Sequence, residues 1–299
     1  MRLRNSLMIL LLMWGLFASC ISEDHSDCTN QYIVNLSYMA DGTKEIFNEK
    51  IEKVQMFIFD NQQNILSQSE LTGEEVTYRR VLLPPFEPGD YRVIFIGNMF
   101  STGVSGLDSG SYPEMTFAAE SYLDGRVTSG NDSLYFASVD CRIEPYSDTR
   151  RQTFFKADFK SSHYDVSVEV VGVPLVAKSS DGNPKVMITG LSPVTDFNNL
   201  AGGSPVDYVL DATHDGVSTL KAECCIMRHL VHDNVYLKLI AADGSEIVSV
   251  NFKEFIEAHR DVIDCSKQEV LIPFSIRYKS VGVNVTVPDW VIHDIVPEL

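Results

Sequence analysis

The chain has 299 residues, 44% of them hydrophobic, and a formal net charge of −17. An ordinary apolar fraction predicts packed globular domains rather than disorder. The acidic excess argues against nucleic acid or an anionic lipid surface as a partner, because both are held by clustered Lys and Arg.

Leu7 to Ala18 run without a charge, preceded by Arg2 and Arg4 and followed by Ser19. A bilayer-spanning helix needs about 20 apolar residues, so this run is too short to span. A basic start, an apolar middle and small residues before a cut make a secretory signal peptide, residues 1–19. The cysteine directly after Ala18 and Ser19 makes LFASC resemble a bacterial lipobox, although Phe17 stands where the usual pattern has Leu. That resemblance implies cleavage between Ser19 and Cys20. It also implies that Cys20, carrying S-diacylglycerol and N-palmitoyl groups, is the first residue of the mature chain. Removing residues 1–19 leaves 280 residues, with 22 basic against 41 acidic side chains and a charge of −19. Membrane attachment then rests on acyl chains, several of which on one cysteine give stable anchoring. Residues 20–30 are polar and acidic and form a lipidated tether.

After the tether the pattern changes to the period-two alternation of strands. Tyr32, Val34, Leu36 and Tyr38 share one face of the first. In VQMFIFD, Val54, Met56 and Ile58 share one face, with Phe57 and Phe59 on the other. YRVIFIG (91–97) follows the turn FEPGD, where Pro88 presets φ and Gly89 is expected to take the positive φ of a type II turn. The Gly- and Ser-rich stretch 98–133 has no clear pattern and predicts long loops. A second set of strands begins near Phe154. In YDVSVEVV, Tyr164, Val166, Val168 and Val170 oppose Asp165, Ser167 and Glu169. Further strands are predicted at 235–241, 246–252, 269–276, 281–287 and 290–296. The Asp-Gly at 243 is a hairpin signal between two of them. Helical spacing is confined to Phe252, Phe255, Ile256 and His259.

Short strands, regular turns and the lack of crossover helices predict an all-β protein of antiparallel β-sandwiches. A mature length of this size suits two domains of roughly 130 residues each. The boundary is placed in the polar stretch 144–152, giving an N-terminal sandwich over 31–150 and a C-terminal sandwich over 151–299.

Cys28, Cys141, Cys224, Cys225 and Cys265 remain once Cys20 is assigned to lipid. Their number is odd and no CxxC occurs, so they are expected to be mostly buried thiols, and no disulfide pairing is assigned. Catalytic signatures are missing: no G-x-S-x-G, HExxH or GxxxxGK is found. His229, His232 and Asp233, close after Cys224 and Cys225, are the best metal candidates. On a strand, however, positions 229 and 232 face opposite ways. Asp60, Asn61 and Asn64 lack the glycine and final Glu of an EF-hand and fit a hairpin turn better. The expectation is therefore no enzyme, no cofactor and no metal.

Several segments together resemble the fimbrial anchor proteins of Bacteroidota, the FimB/Mfa2 family. These are IEKVQMFIFDNQQNIL, FEPGDYRVIFIGN, VMITGLSPVTDFNN and VGVNVTVPDWVIHDIVPEL, the last carrying Trp290. The resemblance implies two transthyretin-like β-sandwiches in an outer-membrane lipoprotein that anchors fimbriae and influences their assembly and length. It implies fimbrillin subunits as partners, joined by β-strand addition. Stalk fimbrillins of this superfamily are released from their leader by an arginine-specific protease, and here no arginine lies between Arg4 and Arg79. The N-terminus is therefore expected to stay attached. Glu23, Asp24 and Asp27 resemble the surface-export signals of Bacteroidota lipoproteins, which implies exposure on the outer face. The rival readings are a fimbrial stalk or tip subunit and a surface glycan-binding lipoprotein. Neither the fimbrillin partner nor the adhesion target can be named from the residues.

Overall fold

The computed structural model describes residues 30–145, 151–172, 184–228, 234–279 and 282–288. In chain order the first strands are β1 (Gln31–Ser37), β2 (Val54–Phe59), β3 (Ile65–Glu70), β4 (Arg80–Leu82), β5 (Gly89–Gly97), β6 (Thr102–Ser105), β7 (Thr116–Ala119), β8 (Tyr135–Ile143), β9 (Gln152–Asp158) and β10 (Lys160–Ser161). There follow β11 (His163–Val171), β12 (Lys185–Leu191), β13 (Val194–Asp196), β14 (Ala201–Gly202), β15 (Val206–Val209), β16 (Ala212–His214), β17 (Thr219–Met227), β18 (Tyr236–Ile240), β19 (Glu246–Asn251), β20 (Leu271–Lys279) and β21 (Gly282–Thr286). The helices are short: α1 (Phe47–Lys50), α2 (Gly73–Tyr78), α3 (Glu120–Gly125) and α4 (Phe252–Ala258).

The protein is all-β, and each half stacks two sheets. In the first half β4-β1-β9 lies against β10-β8-β5-β2-β3; in the second β16-β17-β11-β20-β21 lies against β15-β12-β18-β19. Alternation decides which side chains meet between them. Tyr32, Val34, Leu36 and Tyr38 are buried together with Val54, Met56, Val93, Phe95 and Val139. Tyr164, Val166, Val168 and Val170 are buried together with Val186, Ile188, Leu237 and Leu239. At roughly 1.5–3 kcal/mol per buried side chain, these two cores dominate the stability of their halves.

Between the described strands pairing is antiparallel apart from two parallel ladders. β1 runs parallel to β9 from Gln31↔Gln152 to Ser37↔Asp158, and β11 runs parallel to β20 from Asp165↔Leu271 to Val171↔Arg277. A parallel neighbour needs a long connection. In each half the intervening chain builds the facing sheet, and the returning strand re-enters beside the first.

Local chemistry explains the turns. Asp60 Oδ1 accepts from the backbone N–H groups of Gln62 and Asn64, each at 2.8 Å, and closes the β2–β3 hairpin. Gly244, at φ 85°, closes β18–β19. Asn251 Oδ1 caps α4 by accepting from the Glu254 N–H at 3.1 Å. Two local expectations are corrected. Gly89 is not left-handed; it opens β5 opposite Ile143, so the ladder fixes its backbone. The 98–133 stretch is not simply loop, because β6, β7 and α3 lie within it.

β7 pairs with β13, placing Phe117 opposite Thr195, and the sheet β14-β13-β7-β6 thus joins residues from both halves. Beneath it lies a third apolar cluster in which Phe57, Phe59, Ile94 and Ile96 meet Met99, Tyr112, Met115, Phe117 and Phe197. β2 and β5 are apolar on both faces, and this layer covers the second face. The change of strand partners falls between β10 and β11, downstream of the polar 144–152 stretch: β9 pairs with β1 and β10 with β8.

Candidate attachment and interaction surface

Ser19, Cys20, Glu23, Asp24 and Asp27 lie outside the described residues, as do Cys28, His229, His232, Asp233 and the strand predicted at 290–296. Just before β1, Asn30 Oδ1 accepts from the Arg151 N–H at 3.3 Å. β1 is the middle strand of its sheet. β9 lies along its whole length, and β4 pairs with it from Ile33↔Leu82 to Asn35↔Arg80. Tension applied at residue 30 along the strand therefore loads two ladders in shear, all their hydrogen bonds resisting together. Arg79, at the end of α2, is left-handed at φ 55° and pairs with Glu45 at 2.8 Å. Burial would raise the Glu45 carboxyl, but the N–H groups of Tyr38 and Phe47 and the Arg79 guanidinium outweigh it and hold the pKa below the ordinary range. The first arginine after Arg4 is thus tied into the fold.

The sheet edges are unequal. β20 is covered by β21, whereas its counterpart β9 has β1 on one side and no strand on the other among the described residues. β9 also carries Phe154, 55% exposed, with the Arg80 guanidinium 5.6 Å from its ring centroid. Such an edge offers main-chain groups beside an apolar side chain, the two elements that strand addition uses.

Between the halves lies a wired junction. Phe197 and Met227 insert into the third apolar cluster, and the Tyr112 hydroxyl donates to the Phe197 carbonyl at 3.0 Å. Glu269 accepts from the Tyr38 hydroxyl, from Lys50 Nζ at 2.5 Å and from the Tyr135 hydroxyl at 3.2 Å. The Gln268 N–H donates to Asp41 Oδ2 at 2.7 Å. Beside them His163, Asp165 and Cys225 converge, with their potential ligand atoms within 4.8 Å of one another. His163 and Asp165 share a face of β11, and Cys225 sits opposite Asp165 on β17. Spacing had drawn attention to His229 and His232 instead. The His-x-Asp of HYDVSV was a readable same-face pair, but its third member lies 60 residues away from Asp165.

No nucleophile is activated here. Burial pushes the Cys141 thiol up to about 12 and raises that of Cys224, so neither is available as a thiolate near neutral pH. Cys141, Cys224, Cys225 and Cys265 are free, the first buried and the other three only partly so.

Residues 24–296 match the family model described as fimbrillin-A associated anchor proteins Mfa1 and Mfa2. The chain belongs to the Mfa2 family. Membership brings a fimbria-associated, structural role at the cell surface. The fimbrial anchor protein Mfa2 from Porphyromonas gingivalis is similar in structure, with a TM-score of 0.65 and 14% identity over 86% of this chain and 95% of its own. A candidate adhesin from Bacteroides ovatus matches at 0.68 and 14%, covering 87% of this chain and 94% of its own. A protein from Bacteroides thetaiotaomicron, titled as a candidate polysaccharide-binding protein, matches at 0.64 and 11% over 86% and 96%. At such identities the likeness speaks for the shared fold. No curated protein sequence matches the chain. No helix among the described residues is long and apolar enough to cross a membrane.

Proposed function

We propose that this Mfa2-family protein is an outer-membrane lipoprotein that anchors fimbriae to the cell surface and influences their assembly and length. Ser19–Cys20 is the cleavage site, Cys20 carries the lipid, and Glu23, Asp24 and Asp27 direct the protein to the outer face. The observation that carries the reading is the family match over residues 24–296, which begins four residues after Cys20. The tether then runs into a first strand held from both sides by β4 and β9, as a load-bearing attachment requires. With no arginine between Arg4 and Arg79, a protease specific for arginine has no site at which to free that strand from the lipid. Fimbrillin subunits join by β-strand addition, and the edge of β9, uncovered among the described residues, is the receiving edge that the fold favours.

Deleting the gene and imaging the cells tests the anchor role. Fimbriae that lengthen or detach support it, and unchanged length and attachment refute it. Palmitate labelling of the natural protein that disappears in Cys20→Ala supports the lipid assignment, whereas labelling that persists refutes it.

A further inference from the structure

We infer that His163, Asp165 and Cys225 form a zinc site that fastens the second half of the molecule to residues 131–134 of the first. The His163 side chain is 5% exposed, and its Nδ1 lies 2.9 Å from the Leu134 carbonyl. A carbonyl only accepts, so Nδ1 carries the proton and Nε2 presents its lone pair. This is the orientation by which ligating imidazoles are set, the far N–H being spent on a backbone carbonyl. Nε2 faces Asp165 Oδ1 at 3.7 Å, and the Cys225 Sγ–H donates to the same oxygen at 3.2 Å. Zinc bonds of roughly 2.0–2.3 Å in a tetrahedron put neighbouring ligand atoms about 3.3–3.7 Å apart, so these spacings need only small side-chain adjustments.

The ligand set of imidazole, thiolate and carboxylate suits zinc better than the hard cations calcium and magnesium, which take oxygen. A cavity of about 480 Å³, lined by Asp132, Ser133, His163, Asp165 and Glu269, leaves the fourth position to water. In its wall the side-chain oxygen of Asn131 is buried and without a hydrogen-bond partner. It is an acceptor that a metal-bound water can satisfy. Asp132 and Glu269 are engaged elsewhere: Asp132 accepts from the N–H groups of Phe100 and Ser101, and Glu269 from Tyr38 and Lys50. Binding breaks the Cys225 S–H bond, forms Zn–S and releases the proton to solvent, with no change of oxidation state.

The site reaches across the junction. The Asn131 N–H donates to the Cys225 carbonyl at 2.9 Å, Ser133 Oγ lies 3.2 Å from Cys225 Sγ, and Leu134 holds His163. A metal that fixes His163 and Cys225 therefore fixes the two halves against each other.

The test is titration of the mature full-length chain with Co²⁺, followed by displacement with Zn²⁺. The expected result is one Co²⁺ per chain, with a thiolate-to-cobalt charge-transfer band that Zn²⁺ abolishes and a Tm that rises on Zn²⁺ addition. Cys225→Ser removes the band, Asp165→Asn weakens Co²⁺ binding by at least about tenfold, and Cys265→Ser retains both. Circular dichroism of each variant separates loss of a ligand from loss of fold, and Asp165→Asn carries the test if Cys225→Ser does not fold. The absence of a thiolate band, or a band that survives Cys225→Ser, overturns the site.

Discussion

The two halves use one plan and finish it differently. In each, the opening strand, β1 or β11, runs between an antiparallel neighbour and a parallel one. In the five-stranded sheet of the first half, β2 and the end of β5 are then buried on both faces, because β6, β7, β13 and Phe197 cover their outside. The four-stranded sheet of the second half keeps a solvated outer face: in β18, Leu237 and Leu239 are buried while Tyr236, Lys238 and Ile240 are only partly so. At the other sheet the contrast reverses, since β20 is covered by β21 and no strand among the described residues covers β9. The first half is thus the one tied down at its core and, among the described residues, open at an edge.

The contrast between outer faces is sharpest at Phe57, fully buried against Phe197 at a centroid distance of 5.0 Å. Phe57→Ala is expected to cost about 3–5 kcal/mol in urea unfolding. Met187→Ala, on the outer face of β12, is expected to cost within about 1 kcal/mol. Equal costs would break the claim of a third layer in the first half only.

Next come two glycines, one in each half. Gly106 and Gly190 both sit at φ +82°, where an added Cβ would drive into the carbonyls of Glu114 and Asn234 respectively. Either change to Ala is expected to destabilise by about 1–3 kcal/mol, read from the denaturant midpoint. Gly42→Ala serves as the control, because its nearest atom lies at 3.6 Å and no left-handed strain is involved. A smaller effect belongs to Tyr112→Phe, which removes the hydroxyl bonded to Phe197 and Asn198. A loss of about 1 kcal/mol is expected. Additivity of Tyr112→Phe with Phe57→Ala would show that the cluster does not act as one unit.

The smallest effect is present at neutral pH and fades on acidification. Burial raises the Glu269 carboxyl, but Lys50 and the Tyr38 hydroxyl outweigh it, and the net pKa is lowered. Tyr135 and His163 face the same carboxylate. A depressed folded-state value means that the contribution is present above the ordinary carboxylate pKa and lost as pH falls through the folded one. The fall of Tm with acidification should therefore flatten in Glu269→Gln. An unchanged slope would show that this contact does not couple the halves.

Much of the fold was legible because most sandwich strands bury one face and expose the other. Tyr32, Val34, Leu36 and Tyr38 announced β1, and Phe252, Phe255 and Ile256 announced α4. Both faces of VQMFIFD are apolar, as suits a strand covered on both sides. The providers of the outer cover, Met99, Tyr112, Met115, Phe117 and Phe197, are scattered through segments with no period, so the cover itself could not be read. The junction cluster was hidden for a related reason. Register alone brings Cys225 opposite Asp165, and no local spacing encodes a contact made through two strands folded together.

The central claim is that the lipidated N-terminus and β1 stay with the mature protein. Mass spectrometry of the N-terminal peptide from protein extracted with the outer membrane tests it directly. An acylated peptide beginning at Cys20 is the predicted result. A mature chain beginning after Arg79 or Arg80, with β1 removed, would contradict it.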